Sequence, residues 1–489
     1  MNKKILYKNA GLAVLILSLA ACKPMEVAKH AENKNVPENF GIAVSDSTNT
    51  GKLSWKEYFA DEKLQSLIET ALQNNQELNI TLQEVEMSRN EIRARKGEYL
   101  PFVGGKAGAG VDKVGRYTNI GALEANTEIR PGKEMPEPLF DFGIGAYAHW
   151  ETDIWGKLHN ATRAQVQKYL STVEGRNFMV TNIISEIANS YYELLALDNE
   201  LKILEQNIKI QNDAFRVVKI LKQNARGNEL AVKRFEAQVL KTQSMQFEIR
   251  QKITETENKI NYLVGRFPQH VERSEDQFDS LVPQTVFAGV PSDLLENRAD
   301  IKQAEFQLAA SKFDVKSAKA RFYPSLDITA GVGFNAYNPA YIFDIKSLVF
   351  NLVGDLTAPI INRNAIKAGY ANANARQIQA AFEYEQKILN AYVEVTNQLS
   401  NIKNLQSSYE LKSQEVDALT KSIDISNDLF KYARADYMEV LLTQRDALEA
   451  KFELVETKVE QLKATVSLYR SLGGGWDQQP VANPNITKR

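Results

Sequence analysis

The chain is written twice. Glu98-Tyr99-Leu100-Pro101 closes one charged, helix-patterned stretch and opens a glycine-rich one, and Arg321-Phe322-Tyr323-Pro324 does the same at an offset of 324 − 101 = 223. Gly108 and Gly331, and Gly110 and Gly333, keep that offset. A duplicated unit in which a long helix runs into strands narrows the architecture before any chemistry is weighed, and two copies are too few for a solenoid.

The strand candidates follow each Pro. Leu326, Ile328, Ala330, Val332, Phe334 and Ala336 alternate with Asp327, Thr329, Gly331, Gly333 and Asn335. Phe140, Phe142, Ile144, Ala146, Ala148 and Trp150 alternate with Asp141, Gly143, Gly145, Tyr147 and His149. This is period-two patterning. Leu348, Phe350, Leu352 and Leu356 form a weaker face, and Val103, Ala107, Ala109 and Val111 the weakest. Some 9–11 residues suffice for one tilted crossing of a bilayer. The mean hydropathy of −0.36 argues only against helical spans, because barrel strands barely register on such a scale. Phe140, Trp150, Tyr337 and Phe343, near strand ends, suit interfacial girdles. A soluble two-sheet sandwich would carry the same alternation, so that alternative stays open here.

After the second strand of each half comes a very long helix. From Lys157 to Gln223 only Gly175 intervenes, and from Arg363 to Tyr432 only Gly369. At 1.5 Å per residue each reaches on the order of 100 Å. Ile388, Tyr392, Val395, Leu399, Ile402, Leu405 and Tyr409 step by three and four, the spacing of left-handed coiled-coil packing. Each long helix turns back into a shorter one, Glu229 to Leu263 and Asp436 to Leu472, with Val232 and Val440, and Gly265 and Gly473, matching at 208. The junctions before the long helices match at 359 − 153 = 206. The lost 223 − 206 = 17 residues fit the polar, Gly- and Pro-bearing stretch 112–138, read as a long loop.

The N-terminus has a different character. Lys3, Lys4 and Lys8 precede an apolar run from Leu12 to Leu19, then Leu19-Ala20-Ala21-Cys22. This is a signal peptide over 1–21 ending in a lipobox, with lipid expected on Cys22, the only cysteine. Lys23 in place of Asp permits delivery to an outer membrane. The expected organisation is a lipid-anchored, extended segment 22–60, a first repeat 61–265, a linker 266–290, a second repeat 291–473 and a tail 474–489. Within the repeats, strands are expected near 102–112, 139–152, 325–337 and 345–358. Long helices are expected over 157–223 and 363–432, and return helices over 229–264 and 436–472. Shorter helices cover 63–72 and 76–98.

Charge and motif counts exclude several functions. A net charge of −2 gives no global field for nucleic acid. The four histidines (30, 149, 159 and 270) make no metal spacing, and no catalytic constellation or cofactor motif is present. Gly104 to Gly110 resembles a phosphate loop, but its Lys106 does not follow the closing glycine; a glycine-rich strand is the better reading. Glu151 and Asp153 read as a strand end and a helix cap.

Four strands cannot close a barrel with a useful lumen. Open sheet edges do not persist in lipid, where each unpaired backbone group costs several kcal/mol. The strands must therefore pair across subunits. Three copies give twelve strands around a water-filled pore, continued by coiled-coil helices.

Val290-Pro291-Ser292-Asp293-Leu294-Leu295-Glu296-Asn297-Arg298-Ala299-Asp300-Ile301, with Ala304-Glu305, resembles the P-S-x-L-L-x-x-R-P-D-I-x-x-A-E signature of TolC-like outer-membrane efflux proteins. Tyr437-Met438-Glu439-Val440-Leu441, the run Leu468 to Trp476 and the junction Trp150 to Lys157 are similar to that family's second hairpin, C-terminal motif and strand-to-helix junction. Ala299 and Gln76 stand where the family usually has Pro. With the lipobox, the resemblance points to the lipoprotein branch (NodT/OprM-like) serving resistance-nodulation-division (RND) pumps. It implies an α+β membrane protein: a homotrimer with a shared twelve-stranded β-barrel, a long periplasmic helical barrel and an internal two-fold repeat. It also implies a passive, non-enzymatic conduit exporting drugs, toxic compounds or metal ions. A periplasmic adaptor and an inner-membrane RND pump would be its partners and would open it, while it sits in outer-membrane lipid. A type I protein-secretion channel and a periplasmic coiled-coil scaffold lipoprotein remain alternatives.

The resemblance places the functional residues at the helix-hairpin tips. Asp424, Asp428 and Lys431, spaced four and three, share a helix face and are the gate candidates. Threefold symmetry makes each a ring, with inter-subunit pairs to Lys431 as a latch. Arg226, Gly227, Arg434 and Tyr437 are the adaptor-docking candidates. Gly227 in the first tip stands opposite Ala435 in the second, so the two tips are expected to differ.

Overall fold

The computed structural model describes residues 25–28, 30–41, 48–274, 278, 280–432 and 434–476. The signal peptide, Cys22 and the chain after Trp476 lie outside the described residues. Helices α1 (Glu62–Asn74) and α2 (Gln76–Glu98) lead into strand β1 (Phe102–Asp112); β2 (Leu139–Thr152) returns, and α3 (Lys157–Gln223) and α4 (Glu229–Leu263) follow. The second half repeats this with α5 (Ala299–Ala320), β3 (Ser325–Ala336), β4 (Leu348–Thr357), α6 (Asn364–Lys431) and α7 (Tyr437–Ser471). The chain divides into two compact units. One holds Glu86–Leu170 and Phe306–Phe382 with the N-terminal residues through Ala31; the other holds Glu32–Val85, Ser171–Glu305 and the chain from Glu383.

In the first unit the four strands make one antiparallel sheet in the order β1-β2-β3-β4. Among the described residues no second sheet packs over its apolar face, so the sandwich alternative is not what forms. The strand expected over 345–358 begins later, because Ile345–Ser347 is a 3-10 turn whose Lys346 N–H donates to the Asp344 side chain at 2.9 Å. The loop expected over 112–138 carries structure of its own: a helix Asn119–Glu124 capped by Thr118, and a ribbon of Glu128–Arg130 with Lys133–Glu134. Among the described residues no helix is long and apolar enough to cross a membrane.

The second unit is built around a core shared by both repeats. Leu64 and Ile68 of α1, Tyr191 and Leu194 of α3, Ile260 of α4, and Val459 and Tyr469 of α7 are all buried in it. Two expectations are corrected here. The segment before residue 60 is not wholly extended: Ser54 and Glu57 form a capping box on Trp55–Tyr58, and Tyr58 stacks on Tyr469 at 3.9 Å. The 266–290 stretch is not a bare linker, since Val271 and Phe278 are buried in the core. Hydrophobic burial pulled both segments in, although neither has a periodicity that marks it.

The repeat extends to the joints. Asn75 Nδ2 donates to the Leu263 carbonyl at 2.8 Å, while its Oδ1 accepts from Leu78 N and caps α2. Gly265 and Gly473, at φ +73 and +88, close α4 and α7 in the left-handed region open to glycine. A Cβ on either would stand 2.4 Å from Asn74 O or 2.6 Å from Asn297 O.

The N-terminal arm is strapped along α6. In the first unit the Ala28 carbonyl accepts from Asn374 Nδ2 at 3.0 Å, and His30 packs on Phe382. In the second, Asn33 N donates to Glu385 Oε1 at 2.8 Å, Lys34 pairs with Glu305 at 2.6 Å and Phe40 stacks on Tyr392.

Candidate functional site

Paired residues in a sheet project to one side, so the register assigns the two faces. Val103, Ala148, Ala330 and Leu352 lie in one row across the four strands, followed by Gly105, Ala146, Val332 and Phe350, then Ala107, Ile144, Phe334 and Leu348. This face is apolar and uncovered; Phe350 is 80% and Leu352 76% exposed. The other face is polar or bare: Gly104, Tyr147, Gly331 and Asn351 form one row, and Lys106, Gly145, Gly333 and Val349 the next. The stretch resembling a phosphate loop lies within β1, paired to β2 along its length.

On the bare face neighbouring backbones come close. A Cβ on Gly145 would stand 2.6 Å from Val332 O, and one on Gly333 2.5 Å from Ile144 O. The backbones approach closer than any side chain permits, which is the purpose of glycine in a strand. The Tyr147 ring covers Gly104, filling the space of its missing side chain. At the end of the sheet that joins the helices, Glu151, Asp327 and Asp355 stand opposite one another on three neighbouring strands. Like charges so placed repel. Lys157 relieves one of them, pairing with Glu151 at 2.5 Å. Among the described residues no three His, Cys, Asp or Glu side chains converge to hold a metal ion.

The two hairpin tips close alike. Arg226 N donates to Leu221 O at 2.8 Å, and Arg434 N to Leu429 O at 2.8 Å, each pair 208 residues from its counterpart. Ala225, at φ 60, supplies the left-handed residue of the first tip. The expected difference between tips therefore lies in side chains. Asn228 caps α4 by accepting from Ala231 N, whereas Asp436 makes no such cap on α7. Lys222 pairs with Glu229 in the first tip. Their counterparts Phe430 and Tyr437 pack instead against the cluster of Val218, Val232, Phe235 and Val440 that joins the two hairpins.

A sequence profile described as "Outer membrane efflux protein" matches residues 67–266 and 290–474. The chain belongs to the outer membrane efflux protein family. It is 25% identical over 448 residues to the cation efflux system protein CusC of Escherichia coli O6:H1, covering 91% of this chain and 94% of CusC. It is 27% identical over 477 residues to the pyoverdine export outer membrane protein OpmQ of Pseudomonas aeruginosa, covering 97% and 99%. A crystal structure of CusC superposes with a TM-score of 0.81 at 24% identity, covering 92% of this chain and 99% of that one. The efflux protein is thus the outer-membrane channel component of a tripartite system. Its four-stranded sheet and long helices have the fold of that channel.

Within this efflux protein the sequence-derived candidates fall into three groups. Asp424, Asp428 and Lys431 lie exposed in the last turns of α6, and none forms an ion pair among the described residues. Arg226, Gly227 and Arg434 are exposed at the tips; a Cβ on Gly227 would stand 3.2 Å from Lys222 N. Tyr437 is half-buried and its ring contributes to the inter-hairpin cluster. Sequence reasoning missed the carboxylate row and the Lys222–Glu229 pair. Matching the tips residue by residue at 208 would have found the second; the first needs the strand register.

Proposed function

We propose that three copies of this chain form a passive, non-enzymatic conduit from periplasm to exterior, with a periplasmic adaptor and an inner-membrane RND pump supplying the energy. The observation that carries this is the register: it collects the apolar residues of four strands on one uncovered face. β1 and β4 stand at the edges of the sheet, and such edges cannot face lipid unpaired. The adaptor docks on the tips through the exposed Arg226 and Arg434, with Gly227 allowing close approach. Asp424 and Asp428 form acidic rings, latched between subunits by Lys431.

Drugs, toxic compounds or metal ions are the cargo. CusC is named for cations and OpmQ for pyoverdine, which supports a conduit that leaves selection to its pump.

Covalent lipid on Cys22 anchors the chain. Ala28 is held at Asn374, ten residues or about 15 Å into α6. The six residues back to Cys22 span at most about 20 Å, enough to bring acyl chains to the level of the strand ends.

A cysteine introduced at Asn126 should react with an impermeant reagent in intact cells, and the detergent-extracted protein should be a trimer that conducts in planar bilayers. A monomer without conductance overturns the reading. For the latch, Asp428→Ala should admit large antibiotics; unchanged uptake removes that residue from the gate.

A further inference from the structure

Among the described residues, two buried glutamines above the tips have no hydrogen-bond partner. Gln211 of α3 is 0% and Gln444 of α7 1% exposed, and in both the amide nitrogen and oxygen lack any hydrogen bond. Thr242 of α4, also fully buried, donates its hydroxyl back to Gln238 O of its own helix at 2.9 Å. Asn207, one turn from Gln211, leaves its buried carbonyl unbonded.

These residues fall at one level of the bundle. Along α3, Gln211 lies between Ile208, which packs with Leu204, Ile249 and Leu448, and Ala214, which packs in the tip cluster. Along α4, Thr242 lies between Phe235 of the tip cluster and Met245 of the upper one. Along α7, Gln444 lies between Leu441 and Leu448 in the same way. A polar layer therefore separates two apolar clusters on three helices. Buried polar groups are almost always bonded, and a polar residue in a coiled-coil seam normally fixes register through its bonds. Here the bonds are missing, so a neighbouring register that pairs these amides recovers what their isolation costs, to be set against repacking the clusters on either side.

We propose that the Gln211–Thr242–Gln444 layer is the slip plane of the gate. When the tips change state, the α6–α7 hairpin shifts past α3–α4 at this level and the glutamine amides gain partners, while the tip cluster moves as a unit. Small helix shifts between two discrete packings are an ordinary way to switch a bundle. The inference rests on the reading of the tips as a gate.

The test uses the full-length trimer in planar bilayers. The Gln211→Leu/Gln444→Leu variant makes the layer apolar and should switch between conducting levels at least fivefold less often, with adaptor-dependent efflux in cells falling in parallel. Gln444→Asn, which keeps an amide, should retain most of the switching. A rise in melting temperature alone is what a merely structural layer would give, so a double variant that switches at the wild-type frequency overturns the proposal. If the double variant does not assemble, Gln444→Met is judged by the same criterion. A wild-type trimer that never conducts overturns the conduit reading itself, and the slip plane with it.

Discussion

Arg298 holds the last turn of α7 by donating from Nη1 to the carbonyl of Ser471, 2.9 Å away. Asn75 does the same for α4 through Leu263, and the four positions match across the repeat. The signature motif is thus a joint. Arg298 adds a fork to Asp300, at 2.9 and 2.8 Å, and a bond to Glu394 at 2.7 Å. Its guanidinium is held above the usual range: burial works against the charge, but Asp300 and then Glu394 outweigh it.

Arg298→Ala should therefore cost roughly 3–5 kcal/mol, because it strands the buried Asp300 carboxylate. Asn75→Ala should cost only about 1–2 kcal/mol, one neutral bond and a helix cap. Arg298→Lys should recover little, lacking the fork. Denaturant unfolding of the purified protein orders the three variants; equal losses for Arg298→Ala and Asn75→Ala would contradict the joint.

At the Gly145–Gly333 row the clash is with backbone, which cannot rotate away. Gly333→Val should abolish the stable trimer on a heat-modifiability gel, and Gly145→Ala should weaken it. Gly354→Ala, where a Cβ meets nothing within 4 Å, should leave the trimer intact.

Glu200 lies half-buried on α3 with its carboxyl pushed up to about 7, chiefly by burial, with Lys252 opposing and Glu193 and Glu456 adding repulsion. Its folded-state value is above the ordinary 4.5, so its contribution to stability is fully present below about pH 4.5 and lost as pH rises through about 7. Glu200→Gln should be close to neutral at pH 4.5 and stabilising by on the order of 2 kcal/mol at pH 8.5. Unfolding midpoints at the two pH values check this; equal effects at both would contradict it.

The row of Glu151, Asp327 and Asp355 concentrates negative charge at the end of the sheet that joins the helices, and the proposed trimer would triple it. Asp327→Asn with Asp355→Asn should reduce the preference of the pore for potassium over chloride, read as a shift in reversal potential. The same change relieves cross-strand repulsion of roughly 0.2–1 kcal/mol per pair, so the trimer should be no less stable.

Much of the site was legible before the fold was known, and the reasons are local. Alternation over Leu326–Ala336 reports a strand with two unlike faces, since successive side chains point opposite ways. The conformation of Ala225 was not legible: alanine rarely adopts φ 60, and only the closing bond from Arg226 to Leu221 imposes it. The packing of Tyr437 was hidden for a related reason. Its neighbours Val218, Val232 and Phe235 lie on the other hairpin, some two hundred residues earlier.

The sequence by itself determined the duplication, the order of the long helices and strands, the faces of each strand and the family. All of these rest on periodicities and motifs read within a few turns of chain. Only the tertiary structure decided which residues meet: the pinched Gly145–Gly333 row, the Glu151–Asp327–Asp355 line, the Arg298–Ser471 joint and the unpartnered Gln211 and Gln444. Each depends on register or on burial between distant segments. A one-residue slip in pairing would leave every local pattern intact while exchanging the faces.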